Sequence, residues 1–478
     1  MAVAADLLEP VLCVDLDGTL VRSDLLLESL LRLIKRNPLY LFCLPFWLLR
    51  GKAAFKSSVA SRVEIDPALL PYHREFLAWL ESERNRGRAL WLCTAADRRQ
   101  ADCVAQHLGI FTGVLASDAT VNLAGAHKRE ALVARFGKDA FDYCGNERRD
   151  LAVWRAARGA IVVSSNGSLA RRVESFVPIL QHFAGPRRPV RSLLRALRPH
   201  QWTKNALLLI PLLMAHRVGN LASLAAGVGA VVAFSLVASA VYVVNDLLDV
   251  EADRAHARKS KRPFASGDLS IAAGFALAPA LVVAATAIAT FLPPRFGLAL
   301  ATYSALSLAY SFRLKRILLL DAIALAGLYT LRIIAGAGAV QVALSFWLLL
   351  FSVFLFLSLA LVKRYAELDA LRRQRRLRAA GRGYHVEDLA ILQSFGTASG
   401  YLSVLVLALY INSPETAALY HHPKAIWMLC VLTLYWVSRV WMTAHRGGMH
   451  EDPVLYALRD RVSLGLGVLA AITMLVAL

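Results

Sequence analysis

The sequence predicts a soluble α/β domain with a helical insertion, followed by an all-α bundle of about nine membrane spans. Three observations lead there. Of 478 residues, 57% are hydrophobic, far above the share in soluble chains, so much of the protein belongs in lipid. The apolar residues are unevenly spread: up to about residue 185 short apolar runs alternate with charged stretches, and after about residue 203 long uncharged spans dominate. The excess of 54 Lys and Arg over 34 Asp and Glu, a net charge of +20, gathers in short loops between those spans. That distribution fits the positive-inside rule, anionic lipid headgroups and phosphate ligands. It argues against nucleic acid, since no aromatic-basic surface stands out elsewhere.

The expected spans are 205–217, 221–243, 271–292, 296–311, 318–340, 344–362, 389–411, 424–443 and 460–478. The first is short and partly interfacial. With the N-terminus inside, the loops after the second, fourth, sixth and eighth spans face the cytoplasm and hold nearly all the basic residues. The expectation is a multi-pass protein of a bacterial inner membrane, with its first domain and its active sites on the cytoplasmic side. No basic-apolar-small pattern opens the chain, so no cleaved signal is expected. Six cysteines without zinc-type spacing read as inert thiols in a reducing compartment. The expected divisions are 1–185 for the α/β domain, 186–204 for a basic interfacial linker and 205–478 for the bundle. The basic run from Leu371 to Gly383 fits lipid binding, a cover over the active site, or a topology signal. A homo-oligomer is compatible with the sequence.

Within the first domain, PVLCVDLDGTL is an apolar strand ending in Asp15 and Asp17. ALWLCTA ends a second strand at Thr94, Lys128 opens a helix, and FDYCGNERRDL ends a third strand at Asn146 and Asp150. Each polar group lies past the carboxyl end of a buried strand, where open α/β sheets bind ligands. Four such elements in this order resemble the haloacid dehalogenase (HAD) phosphatase superfamily, with a Rossmann-like fold and a helical cap over about residues 22–86. The resemblance implies that Asp15 attacks phosphorus and that Asp17 protonates the leaving oxygen. Thr94 and Lys128 would hold the phosphoryl oxygens, and Mg²⁺ would be held by Asp15, the Asp17 carbonyl, Asn146 and Asp150. Asn146 departs from the family's usual aspartate and removes one negative charge. The cap contains LYLFCLPFWLLRG, too short to span a bilayer and broken by Pro45. Either ordinary cap packing or contact with a lipid surface would account for it.

In the bundle, VVNDLLDVEADRAHARKSKRP follows a long uncharged span. Steps of three and four on a helix put Asp246, Asp249 and Asp253 on one face, with Asn245 beside them. Carboxylates so placed repel unless cations separate them, and oxygen ligands of this kind suit Mg²⁺ shared with a substrate diphosphate. A solvated juxtamembrane loop is the alternative. This stretch, the span count and RPHQWTKN resemble the UbiA superfamily of intramembrane transferases. The region matching that family's second acidic motif carries one acid, Asp321, whose place inside a span implies a role facing the bundle interior. Arg332, about three turns further on, needs an internal partner for the same reason.

A finer resemblance is to the polyprenyl-phosphate phosphoribosyltransferases, carried by Arg198 to Asn205, Tyr310-Ser311 with Leu314-Lys315, Lys363 to Leu368, and RGGMHEDPVLYALRDRVS. It implies a soluble phosphoribosyl diphosphate donor, a polyprenyl phosphate acceptor, and Mg²⁺ on Asn245, Asp246, Asp249 and Asp253, with Asp321 in the site. Lys204, Lys259, Arg262, Lys315 and Arg316 would clamp phosphates. Asn205, Tyr310, Arg332, Lys363 and Arg364 complete the implied substrate contacts. The HAD domain would then remove the product's 5-phosphate. The competing readings are prenyl transfer from a polyprenyl diphosphate to an aromatic acceptor, and a non-catalytic membrane scaffold.

Overall fold

The computed structural model of the chain describes residues 9–185, 189–375, 382–413, 420–449 and 452–477. Part of the basic linker, most of the second half of the Leu371–Gly383 run, and His450 and Glu451 lie outside them. Two compact units form: Met1–Leu197 with Tyr242–Pro279, and Arg198–Val241 with Ala280–Leu478. This partition differs from the linear divisions expected from the sequence. The acidic stretch after the first long apolar helix packs with the α/β domain.

The first unit is built on six parallel strands in the order β3-β2-β1-β4-β5-β6. These are β1 (Val11–Val14), β2 (Leu90–Asp97), β3 (Gly113–Ser117), β4 (Phe141–Gly145), β5 (Gly159–Val163) and β6 (Ile179–Phe183). The near-continuous apolar runs of β1 and β5 follow from burial on both faces, while the edge strand β6 is mostly exposed. Leu12 and Val14 point into one core with Leu92, Ile161 and Val163, while Cys13 points into the other with Cys93, Tyr143 and Val162. That is the two-residue alternation of a strand. Cys13, Cys93 and Cys144 are buried free thiols, Cys103 is exposed, and Cys43 is half-buried. Burial pushes the Cys13 and Cys144 thiols well above their ordinary range.

Between β1 and β2 the insertion folds as α1 (Leu25–Arg36), α2 (Tyr40–Leu49) and α3 (Lys52–Ala60), followed by α4 (Arg74–Asn85). Asp24 caps α1 by accepting the Leu27 N–H at 3.0 Å, and Lys35 and Arg36 close its last turn, so both helix ends are matched in charge. The remaining helices of this sheet are α5 (Arg98–Leu108), α6 (Ala126–Phe136), α7 (Leu151–Trp154) and α8 (Gly167–Glu174), with α9 (Pro189–Leu197) beyond β6.

The expected span at 205–217 is not one continuous helix. A 3-10 stretch (Pro199–Leu209) leads into the five-residue α10 (Ile210–Met214), with prolines at the start of each. Proline is accepted at a helix start and disrupts one in its interior, so the segment breaks into short pieces. The long helices are α11 (Leu221–Leu248), then, after the short α12 (Val250–Arg254), α13 (Ile271–Ala289), α14 (Pro294–Phe312), α15 (Leu320–Val340), α16 (Phe346–Arg373), α17 (Leu389–Ile411) and α18 (Trp427–His445). The short α19 (Pro453–Ala457) and the 17-residue α20 (Arg461–Ala477) end the described chain. Among the described residues, six helices are long and apolar enough to cross a membrane: α11, α13, α15, α16, and the helices ending at Ile411 and His445. The protein is an integral membrane protein.

Close helix approach in the second unit depends on small residues. Gly336 of α15 faces the backbone of Leu208, and a Cβ there would fall on the Leu208 carbonyl oxygen. Backbone cannot swing away as a side chain can. Gly336→Ala is expected to cost about 1–3 kcal/mol through overpacking, read as a lowered unfolding temperature of the detergent-solubilised protein.

Candidate active sites

β1 and β4 lie side by side at the point where the strand order reverses, which opens a crevice beyond their carboxyl ends. Asp15 follows β1 and Asn146 follows β4. Lys128, on the first turn of α6, reaches across to donate from Nζ to Asp15 Oδ1 at 2.8 Å and to the Tyr143 hydroxyl at 2.9 Å. Asp15 Oδ1 also accepts the Leu16 N–H at 3.0 Å. Asp17 Oδ1 accepts the Leu25 N–H at 2.9 Å, which ties the second acid to the start of the cap. Gly18 has φ +75°, and a Cβ on it would collide with the Asn146 amide, so glycine is needed both for the turn and for the approach of the two loops.

Asp15, Asp17, Lys128, Glu147, Arg149 and Asp150 line one cavity of about 560 Å³, which the cap also walls with Leu48, Lys52, Phe55 and Lys56. Burial pushes the Asp15 carboxyl up to about 6, against the pull of the Lys128 ammonium. Burial, then the neighbouring Asp24, lifts Asp17 well above the usual carboxylate range. Burial works to lower Lys128, yet Asp15 and Asp150 outweigh it and hold the ammonium above its ordinary value. Asp15 is thus paired with an ammonium beside a second carboxyl whose pKa burial raises.

Two sequence expectations change here. Thr94 does not end its strand: β2 runs on to Asp97 with a register irregularity after Thr94, and the Thr94 hydroxyl accepts the Ala96 N–H at 3.0 Å. Asp150 holds the turn instead of standing open as a ligand. Its carboxylate accepts the Asn146 and Glu147 N–H groups, each at 3.0 Å, and the Tyr143 hydroxyl at 3.0 Å. The Asn146 side-chain oxygen accepts the Thr19 hydroxyl at 3.1 Å. The oxygen donors left for Mg²⁺ are Asp15, the Asp17 carbonyl and Asn146, hard ligands of the kind that ion takes. Sequence reasoning missed Lys56, which donates to Ala95 O at 2.6 Å and Asn122 Oδ1 at 3.1 Å. It stands on a cap helix whose docking no local pattern reveals.

The acidic stretch does not form one continuous stripe. α11 ends at Leu248, Asp249 leaves helical geometry at φ −102° and ψ 10°, and α12 begins at Val250. Asp246 and Asp253, both buried, therefore converge on a single atom, Arg262 Nη1, at 3.1 and 2.6 Å. Asp249 turns aside and receives Lys35 at 3.0 Å. Among the described residues no three Asp, Glu, His or Cys side chains gather as a metal site. The Asp246–Asp253 pair supplies hard oxygen donors of the kind a divalent ion takes, at a place that the Arg262 guanidinium occupies. Arg262, expected as a phosphate clamp, spends its charge on these acids, while Lys259 is exposed in a 3-10 turn. α1 is bound to the same segment. Arg254 donates to both oxygens of Glu28 at 3.0 and 2.7 Å, and Arg32 lies 3.3 Å from Glu251.

In the second unit the buried polar residues mostly satisfy one another. Asp321, fully buried, pairs with the buried Arg364 at 2.6 Å and accepts the Tyr384 hydroxyl. Arg364 also donates to Glu367 at 2.6 Å and to the Tyr310 hydroxyl at 3.0 Å. The partner Arg332 requires is Asn205 at 2.9 Å, with Leu328 O and the Tyr303 hydroxyl. Arg332, which the sequence said needs an internal partner, has one, and Asn205, Tyr310 and Arg364, implied by the resemblance as substrate contacts, make these internal contacts as well. Lys204 and Lys363 meet on Asp452, at 2.8 and 3.2 Å, and the Tyr329 hydroxyl donates to the same carboxylate at 3.2 Å. Asp452 was not singled out from the sequence; its acid-proline step reads as an ordinary helix start. Lys315 and Arg316 sit in a 3-10 turn after α14.

Removing one member of a buried ion pair strands the other. Arg364→Ala is expected to cost about 3–5 kcal/mol, and replacing Asp321 and Arg364 together by Asn and Met to cost less. Unfolding temperatures of the single and double variants in detergent check this.

The profile of the UbiA prenyltransferase family matches residues 206–458. Uncharacterized protein y4nM of Sinorhizobium fredii is 37% identical over 467 residues, covering 97% of this chain and 90% of its own length. Nodulation protein NoeC of Azorhizobium caulinodans is 37% identical over 279 residues, 58% of this chain and 90% of its own. Decaprenyl-phosphate phosphoribosyltransferase of Mycolicibacterium smegmatis is 35% identical over 286 residues, 58% of this chain and 89% of its own. Six membrane-length helices among the described residues and a family match over more than half the chain lead to one conclusion: this protein belongs to the UbiA prenyltransferase family and is an integral membrane transferase.

Proposed function

We propose that the protein transfers 5-phosphoribose from phosphoribosyl diphosphate to a polyprenyl phosphate, and that its α/β domain is a HAD phosphatase that removes the 5-phosphate of the product. The product would serve as a sugar precursor for cell-envelope polysaccharide. The observation that carries the transfer reading is the meeting of Asp246 and Asp253 on one cationic atom just past a membrane helix. The 35% identity to a decaprenyl-phosphate phosphoribosyltransferase supports this choice of substrates. The basic loops support a cytoplasmic, inner-membrane site, where a soluble donor is available.

In the first step an oxygen of the lipid phosphate attacks C1 of the ribose, and the C1–O bond to diphosphate breaks. The attacking oxygen is already anionic at neutral pH, so no strong base is required. Mg²⁺ held by Asp246 and Asp253 would offset charge on the departing diphosphate. Asn245 and Asp249 are further oxygen donors on the same segment, and Lys259, with Arg262 once the ion releases it from the acids, would orient the diphosphate. In the second step an Asp15 oxygen attacks the 5-phosphate, the P–O bond to C5 breaks, and Asp17 protonates the leaving oxygen. Lys128 offsets charge on the phosphoryl oxygens, and water activated by Asp17 then releases phosphate from Asp15.

Purified protein in lipid should be offered two donor–acceptor pairs separately. These are labelled phosphoribosyl diphosphate with polyprenyl phosphate, and polyprenyl diphosphate with an aromatic acceptor. Labelled lipid from the first alone is the expected result. Product only from the second would replace this reading by prenyl transfer, and product from neither would favour a scaffold.

A further inference from the structure

α2, with the sequence YLFCLPFWLL, has no buried residue although nearly every side chain in it is apolar. Around it Leu39, Phe42, Phe46 and Leu49 are 66%, 74%, 69% and 84% exposed. Such a surface costs free energy in water, and larger exposed apolar patches mark interaction sites. Ten residues rise only ~15 Å, about half of a ~30 Å hydrocarbon core, so the helix is too short to cross a bilayer.

Its surroundings point to one occupant. α1, directly before it, packs Leu27 and Leu31 against Val243, Leu247 and Val250 and against Ile271 and Ala278. Val243 and Leu247 belong to the end of α11, Val250 opens α12, and Ile271 and Ala278 belong to the first half of α13; α11 and α13 are long and apolar enough to cross a membrane. The Glu28–Arg254 pair and the contacts of Arg32 and Lys35 fasten α1 to the residues immediately past α11. The insertion is therefore held at the level where membrane helices meet water. Arg36, Arg50 and Lys52 flank α2 and are exposed, the charge that anionic headgroups attract. Apolar residues ringed by basic ones at that depth describe an interfacial helix.

We propose that α2 is embedded in the headgroup and upper acyl layer of an anionic bilayer, and that it brings the Asp15 cavity to lipid-borne substrate. The second half rests on the phosphatase reading. Its basis is that Leu48 and Lys52, at the end of α2 and the start of α3, also line that cavity.

The test uses the full chain in nanodiscs of zwitterionic and anionic phospholipid. Cys43→Ser and Cys103→Ser remove the accessible thiols, and Phe46→Cys or, as a control on exposed α4, Glu81→Cys then carries a fluorescent label. Brominated lipids should quench the label at position 46 several-fold more than at 81, and aqueous iodide the reverse. Equal responses at the two positions would overturn the embedding. Separately, Phe42→Asp with Phe46→Asp should lower Asp15-dependent phosphate release from the phosphoribosylated lipid at least tenfold. It should leave release from p-nitrophenyl phosphate unchanged. Parallel losses, or no loss, would overturn the delivery role. Wild-type protein inactive on both substrates would instead remove the phosphatase reading and with it the delivery role, while quenching still decides the embedding.

Discussion

Asp15→Asn is expected to leave phosphoribosyl transfer running while phosphate release stops, so that the 5-phosphorylated lipid accumulates in membranes supplied with labelled donor. The substitution keeps the shape and removes the nucleophile, and losses on the order of 10³-fold or more are usual for that change. The isosteric amide still accepts the Leu16 N–H, so the loop after β1 should stay folded. Lys128, however, loses the carboxylate that helps hold its charge. Thin-layer separation of the lipid products checks the outcome. An identical product pattern from variant and wild type would mean that the α/β domain does not act on this compound.

The second large effect is expected at the acidic segment. Asp253→Ala should lower the transfer rate about 10²–10³-fold, as expected when a ligand of the ion that offsets the developing charge is removed. Phosphate release from a small soluble ester by the Asp15 pocket should stay at its wild-type level. Because Arg262 is partly exposed and retains Asp246, folding should change little, and unfolding temperature provides that control. Asp253→Glu should recover part of the rate and shift the Mg²⁺ concentration at half-maximal rate upward by about tenfold or more. A chelator should stop transfer by the wild type, and added Mg²⁺ should restore it.

Sequence and structure agree most closely where chemistry follows local pattern. Strands buried on both faces leave continuous apolar runs, and a strand end fixes where the next polar residue stands, so Asp15, Asn146 and Lys128 could be placed relative to one another. The helix stripe of Asp246, Asp249 and Asp253 could not be read the same way. Periodicity assumes an unbroken helix, and the break at Asp249 accompanies a lysine 214 residues away in sequence. The contacts of Lys56, and of Asp452 within its quoted string, could not be read for a related reason: what each touches is decided by how helices dock. The charged spans gave a half-legible case. Burial of Asp321 and Arg332 in lipid demanded partners, but their identities, Arg364 and Asn205, came only from packing.

The thiols in the middle of the sheet give the α/β domain its own stopwatch. In folded protein a maleimide can reach Cys103, while Cys13, Cys93 and Cys144 react only after β1, β2 or β4 parts from its neighbours. With Cys43 and Cys430 replaced by serine and Cys103 blocked, the rate of further alkylation times the opening of these strands, even with the remainder of the chain left in lipid.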